Sequence, residues 1–290
     1  MLNQSGTKME ELITLEKGNL KAQIYRGQLV SLAKSGIECM HGGGKPDDLK
    51  SPDDRVGWNK SEIFMFPVPG PVYTYQVQIG DRFFHQDQHG IARYRAFRAL
   101  SHDKTSIFLV QEYHGGKVPN PKHETNKKSP EDLVWLPYKL EKSIELQGES
   151  VNVMFGLTNN SDGVMLYRCG WHPDVIAPAS GKDGLFEYGR QTLSLEDVID
   201  ASEEKGGFPL PGANNIKFTD KVTGRSIELL SEDFKNLNLW SPGTKSSQVC
   251  IEPVTQLPVL DGPQHYFTSG EFEQLEPSQK KTYSITIKLG

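Results

Sequence analysis

Cysteine is scarce in this chain. Three residues, Cys39, Cys169 and Cys250, are spread over 290 positions. An odd, widely spaced set frames no disulfide scaffold, and the absence of a CxxC pair argues against a zinc site. Such usage fits a reducing compartment, and a cytoplasmic location is expected. Long apolar runs are missing as well. No stretch approaches the roughly eighteen apolar residues of a membrane-spanning helix. The opening segment MLNQSGTKMEELITLEKG has no apolar core, so no secretory signal is expected. Nor is there an excess of positive charge. The formal net charge is −5, and Lys and Arg are scattered, so neither a nucleic-acid stripe nor a membrane-binding basic face is present. Helical periodicity is thin. LSLEDVIDASEE predicts one short helix, with Ser194 as N-cap and Asp197 at the third position. Without alternating strands and helices, a doubly wound dinucleotide-binding fold is excluded.

What the chain does have is a period of two. In VNVMFGLTNN, Val151, Val153, Phe155 and Leu157 fall on one face, with Asn152 and Thr158 on the other. KTSIFLVQEYH, KLEKSIELQ, VMLYRCGWH, RSIELL, SQVCIEPV and KTYSITIKLG read the same way, separated by turn clusters such as NNSDG. The pattern predicts an all-β fold, a large antiparallel β-sandwich with few short helices. No repeat or shift in charge marks a boundary, so residues 1–290 are expected to form a single domain. Two stretches rich in Gly, Pro, Asp and Lys, 40–59 and 114–132, are expected loops. On a β scaffold such loops either wall a cleft or are ordinary solvated insertions.

Three places carry candidate chemistry. The stretch YRCGWHPDV puts a His-Pro step where a strand is expected to end. If 166–172 is extended, Leu166, Arg168, Gly170 and His172 share one face, and Met165, Tyr167, Cys169 and Trp171 the other. The second face is apolar. The first offers a cation, a gap and an imidazole, which suits a ligand; a plain hydrogen-bonded strand-end histidine is the alternative. In QDQHGIAR, His89 and Arg93 are donors suited to a polyol or phosphate. The alternation of His85, Asp87 and His89 also has the spacing of metal ligands on one strand face, although short polar alternations more often face solvent. In VCIEPV, Glu252 alternates with apolar residues and is fixed before Pro253. Partial burial would raise its pKa and suit it to general-base work; an edge carboxylate in a salt bridge is the alternative.

Taken in order, FPVPG (66–70), QHGIAR (88–93), GWHPDV (170–175) and VCIEPV (249–254) resemble the motifs of the aldose 1-epimerase, or galactose mutarotase-like, family. LPYKLEKSIEL, VMFGLTNN and NLNLWSP extend the resemblance over nearly the whole chain. It implies the family's antiparallel supersandwich, with a sugar bound in an open cleft on one sheet. It also implies roles: Glu252 as the base at the anomeric hydroxyl, His172 as the acid at the ring oxygen, and His89 and Arg93 as substrate-binding residues. No cofactor or metal is implied, because the reaction is proton transfer on a positioned sugar. The implied partner is a monosaccharide or sugar phosphate, and the implied assembly a monomer or weak homodimer.

The chain departs from the family at three points. The arginine of the family's FPxxGR is Pro71 here, HPAF becomes HPDV with Asp174, and the family aspartate has no clear match among Asn214, Asn215 and Asp220. Strand alternation makes Arg168 the expected replacement for the arginine lost at Pro71. A non-catalytic carbohydrate-binding or regulatory protein on the same scaffold is the alternative function, and a metal enzyme built on His85, Asp87 and His89 a third.

Overall fold

The computed structural model describes residues 12–42, 61–243, 247–258, 267 and 271–290. Most of the expected 40–59 loop and most of the N-terminal segment lie outside these residues. The alternating stretches become strands: Ser106–Tyr113, Tyr138–Gln147, Ser150–Asn159, Ser226–Leu230 and Lys280–Leu289. Together with four further strands they form one nine-stranded antiparallel sheet. Its long central strands alternate buried and exposed, as in Tyr138–Gln147, because one side packs on the core and the other meets water.

A second, five-stranded sheet runs in the order Phe208–Leu210, Asn236–Trp240, Gln248–Val254, Gly170–Ile176, Glu62–Met65. Its two central strands, Gln248–Val254 and Gly170–Ile176, are buried almost throughout, including their polar residues. Phe64 of this sheet stacks on Phe155 of the nine-stranded sheet at 4.5 Å between ring centroids, and Trp171 approaches the same phenylalanine at 6.4 Å. The core therefore lies between the two sheets. A four-stranded meander, Ile13–Lys17 to Ile37–Glu38, adds a third layer element. The expected all-β sandwich is what the chain forms.

Among the described residues there is one α-helix, Leu195–Lys205, and it begins as the sequence predicts. The Ser194 hydroxyl accepts from the Asp197 amide, and the Asp197 carboxylate accepts from the Ser194 amide, a reciprocal capping box. The helix ends on Gly206 in the left-handed conformation. No helix among the described residues is long and apolar enough to cross a membrane.

Two local expectations are corrected. The run expected to be extended over 166–172 is split between two strands, Met165–Tyr167 pairing with Glu273–Leu275, and Gly170–Ile176 in the five-stranded sheet. Between them the Arg168 amide donates to the Pro67 carbonyl and the Cys169 amide to the Thr255 hydroxyl, so the chain leaves one ladder before joining the next. Second, His172–Pro173 lies inside its strand, not at the end. The 114–132 stretch is also less irregular than expected. It holds a two-residue ladder between Val118–Pro119 and Asp132–Leu133 and a 3-10 turn at Pro121–Glu124.

Candidate active site

The five-stranded sheet sets the chemistry in place through its register. On the strand Gly170–Ile176, Gly170 pairs with Val254 and Asp174 with Cys250, which puts His172 opposite Glu252. No pair forms at that step. Each residue precedes a proline, Pro173 and Pro253, and a proline gives the ladder no N–H. On the far side Glu252 pairs with Asn238, and on the near side His172 pairs with Ile63. Alternation then presents His172, Glu252, Asn238 and Trp240 together on one face.

The imidazole Nε2 of His172 lies 3.5 Å from Oε1 of Glu252, and both side chains are buried. Two physical effects oppose each other here. Proximity favours an ion pair, whereas burial penalises both charges. Burial dominates: it pushes the Glu252 carboxyl up to about 8, against a smaller downward pull from a hydrogen bond to Asn238. His172 is pushed down to about 3 by burial, with the Arg93 guanidinium adding to the shift. Burial thus disfavours the charged form of both groups, raising the carboxyl and lowering the imidazole.

His89 comes to the same place from another direction. It sits in the turn after the hairpin Gln76–Ile79 and Arg82–His85, with φ of 64°, and Gly90 follows with φ of 72°. A Cβ on Gly90 would lie 2.2 Å from the Phe66 carbonyl oxygen, so only glycine lets the turn press against that strand. The Gly70 amide donates to His89 Nδ1 at 3.1 Å, which leaves Nε2 as the protonated donor of the neutral ring. The His89 and His172 rings meet edge to face, 5.0 Å apart. Burial holds His89 well below the ordinary histidine range, and the neighbouring His172, Arg93 and Lys122 push the same way.

These groups line a cavity of about 320 Å³. Arg93, Gln88 and Lys122 border it with Asn238; Ile63, Trp240, Pro71 and Pro258 supply apolar wall. The volume is near the lower end of the roughly 300–1,000 Å³ range of small-molecule sites. The Trp240 indole on its wall lies 6.3 Å from the His172 ring.

Of the residues singled out from sequence, the structure brings His89, Arg93, His172 and Glu252 together. Arg168 does not join them. It is buried, but does not line this cavity, because the strand break at 168–169 ends the alternation that would have aimed it there. Pro71 lines the cavity and offers it no donor. Asp174 lies deeper on the same strand, with its Oδ1 3.8 Å from Cys250 Sγ and its Oδ2 3.5 Å from His41 Nδ1. Asp220 is remote from the site. It pairs with Arg225 at 3.0 Å and caps a turn through the Val222 amide. Asn214 and Asn215 also lie away from the cavity. His85, Asp87 and His89 do not share a face, because the strand stops at His85 and Asp87 turns inward to accept from Asn120 Nδ2 at 2.9 Å. Among the described residues, no three His, Cys, Asp or Glu side chains are gathered as metal ligands would be.

Sequence reasoning passed over Asn238, Trp240, Gln88 and Lys122. NLNLWSP held the first two, and its alternation placed Asn238 and Trp240 on one face. Nothing local distinguishes Lys122 from the other lysines of its loop.

The sheet order and this cleft define a class. The chain has the galactose mutarotase-like fold. It superimposes with a TM-score of 0.75 on a galactose mutarotase-like protein from Lactobacillus casei, at 22% identity, covering 97% of this chain and 100% of that one. A galactose mutarotase related enzyme from Lactobacillus acidophilus matches with a TM-score of 0.73 at 17% identity, over 97% of each chain. An aldose epimerase homologue from C. elegans matches with a TM-score of 0.67 at 11% identity, over 97% of this chain and 98% of that one. No family model and no curated protein matches the sequence.

Proposed function

We propose that the protein interconverts the α and β anomers of an aldose by general acid–base catalysis, without a cofactor. The observation that carries this reading is the opposed pair His172 and Glu252, 3.5 Å apart in a sugar-sized cavity and rimmed by hydrogen-bond donors. In this reading Glu252 takes the proton from the anomeric hydroxyl while His172 gives one to the ring oxygen. The C1–O5 bond breaks, C1–C2 rotates, and reclosure on the other face of the carbonyl returns both protons. His89 and Arg93 donate to sugar hydroxyls.

The proton loading supports this cycle at one point in particular. After ring opening the proton from the hydroxyl is on Glu252 and His172 is neutral. That is the loading burial favours in the empty site. The cavity is thus electrostatically matched to the ring-opened state, and reclosure begins from groups already carrying the right protons. The ring-opening half needs the charged loading, which desolvation disfavours and which the substrate's hydroxyls must offset.

The second reading, a carbohydrate-binding protein without turnover, is favoured by Pro71, which offers no donor where the family has a forked one. Polarimetry on freshly dissolved α-glucose and α-galactose separates the two. Acceleration over the buffer rate supports the enzyme; thermal stabilisation by sugar without acceleration supports the binder.

A further inference from the structure

We propose that the aldose bound in this cavity carries an anionic substituent, held by Lys122 and Arg93. This rests on the sugar reading above and names the class of sugar.

The placement is built, not incidental. Lys122 belongs to the 3-10 turn Pro121–Glu124, and Arg93 to another, Ile91–Tyr94. The two turns are about thirty residues apart in the chain. Buried Asp87 fastens them. It accepts from Asn120 Nδ2 at 2.9 Å and from the Gln88 amide at 2.6 Å. Asn120 in turn accepts from the Lys122 amide. The Lys122 ammonium then reaches Gln88 Oε1 at 2.6 Å, on the rim of the cavity. Arg93 lies across the ring of Tyr94 and donates from Nη1 to the Gln88 carbonyl at 3.3 Å. A guanidinium carries five N–H donors, so most of its fork remains for a ligand.

Among the described residues, the cavity is bordered by two cations and one carboxyl, Glu252, whose charged form burial disfavours. Asp87, 3.8 Å from the Lys122 ammonium, offsets one of the two positive charges. A site for a neutral sugar gains nothing from an uncompensated cation, which also works against protonation of His172 and His89. An anion on the substrate removes that surplus. A phosphate ester or a carboxylate meets the requirement, since both accept from an ammonium and a guanidinium together.

The test uses the full chain and measures anomer exchange by NMR for glucose, glucose 6-phosphate and glucuronate. The expected result is a kcat/KM at least about tenfold higher for one charged sugar than for glucose, with the arm that wins identifying phosphate or carboxylate. Lys122→Gln, checked for folding by circular dichroism, should lower that value about tenfold more than it lowers the value for glucose. Equal rates for all three sugars, or an equal loss for all three in the variant, would overturn the proposal and leave the epimerase reading standing. If no sugar is interconverted, the epimerase reading fails, and thermal shift with inorganic phosphate and glucuronate decides the anion site. Stabilisation by either, reduced in Lys122→Gln, upholds it; no stabilisation by either overturns it.

Discussion

At the scale of single residues, the site turns on one buried carboxyl. Glu252→Gln keeps the shape of the side chain and removes its basicity, so anomer exchange should fall by about a hundredfold or more. Near-wild-type exchange in the variant would sink the assignment. The same substitution reports on stability. Glu252 is raised in the folded protein from 4.5 to about 8. A raised carboxyl contributes stability below its unfolded pKa and loses it as pH rises toward the folded value. The unfolding free energy of the wild type should therefore drop relative to Glu252→Gln by about 1.4 kcal/mol per pH unit between about 5 and 8. Denaturant melts at three pH values measure this directly. His172 has the opposite sign. It is lowered from 6.5 to about 3, so its contribution is present above pH 6.5 and is lost as pH falls.

The pH profile of exchange belongs to the pair. Whichever group holds the single proton, the active species is the singly protonated pair, and rate alone does not reveal its location. Activity should stay level from about pH 5 to 7 and fall through about 8 as Glu252 loses its proton. Asn238→Ala removes the hydrogen bond that pulls this value down, so the alkaline limb should move to higher pH. A limb that stays in place would show that Asn238 does not act on Glu252.

Elements rather than residues decide where His89 stands. Its turn is held by Gly90, whose missing side chain admits the Phe66 carbonyl. Gly90→Ala places a Cβ against rigid backbone and at an unfavourable positive φ, so it should cost stability of order 1–3 kcal/mol. It should also raise KM by moving His89 off Gly70. The comparison is Ser194→Ala, which removes the helix cap at a cost of about 1 kcal/mol and lies outside the cavity lining. If both variants lose only stability, the His89 turn has no part in substrate binding.

Across the whole molecule the two sheets are joined by a buried ion pair as well as by apolar packing. Lys142 of the nine-stranded sheet pairs with Glu62 of the five-stranded sheet and also donates to the Gly27 carbonyl of the four-stranded one. Glu62 accepts further from the Trp171 indole and from the Leu29 amide, so one carboxylate ties all three sheets beneath the site strand. Lys142→Met strands that carboxylate in the core and should cost about 3–5 kcal/mol, read as a fall in the denaturation midpoint. A change under 1 kcal/mol would mean that the pair is held together by its surroundings rather than holding them.

The sequence by itself determined the class of fold, the helix and the chemical vocabulary of the site. Alternation is a local property: Val151, Val153, Phe155 and Leu157 must share a face wherever the strand lies, and Ser194 with Asp197 caps a helix through bonds three residues apart. The four short motifs carried His89, Arg93, His172 and Glu252. Tertiary structure decided what local pattern cannot encode. It broke the run at Arg168, because the Pro67 carbonyl and Thr255 hydroxyl, far away in the chain, capture the amides of 168 and 169. It set His172 against Glu252 through a register fixed by Gly170 with Val254 and Asp174 with Cys250. It brought Lys122 to Arg93 through Asp87 and Asn120. Each of these depends on partners dozens of residues apart, and a pair of side chains acquires a distance, a burial and a shifted pKa only once the chain has closed around it.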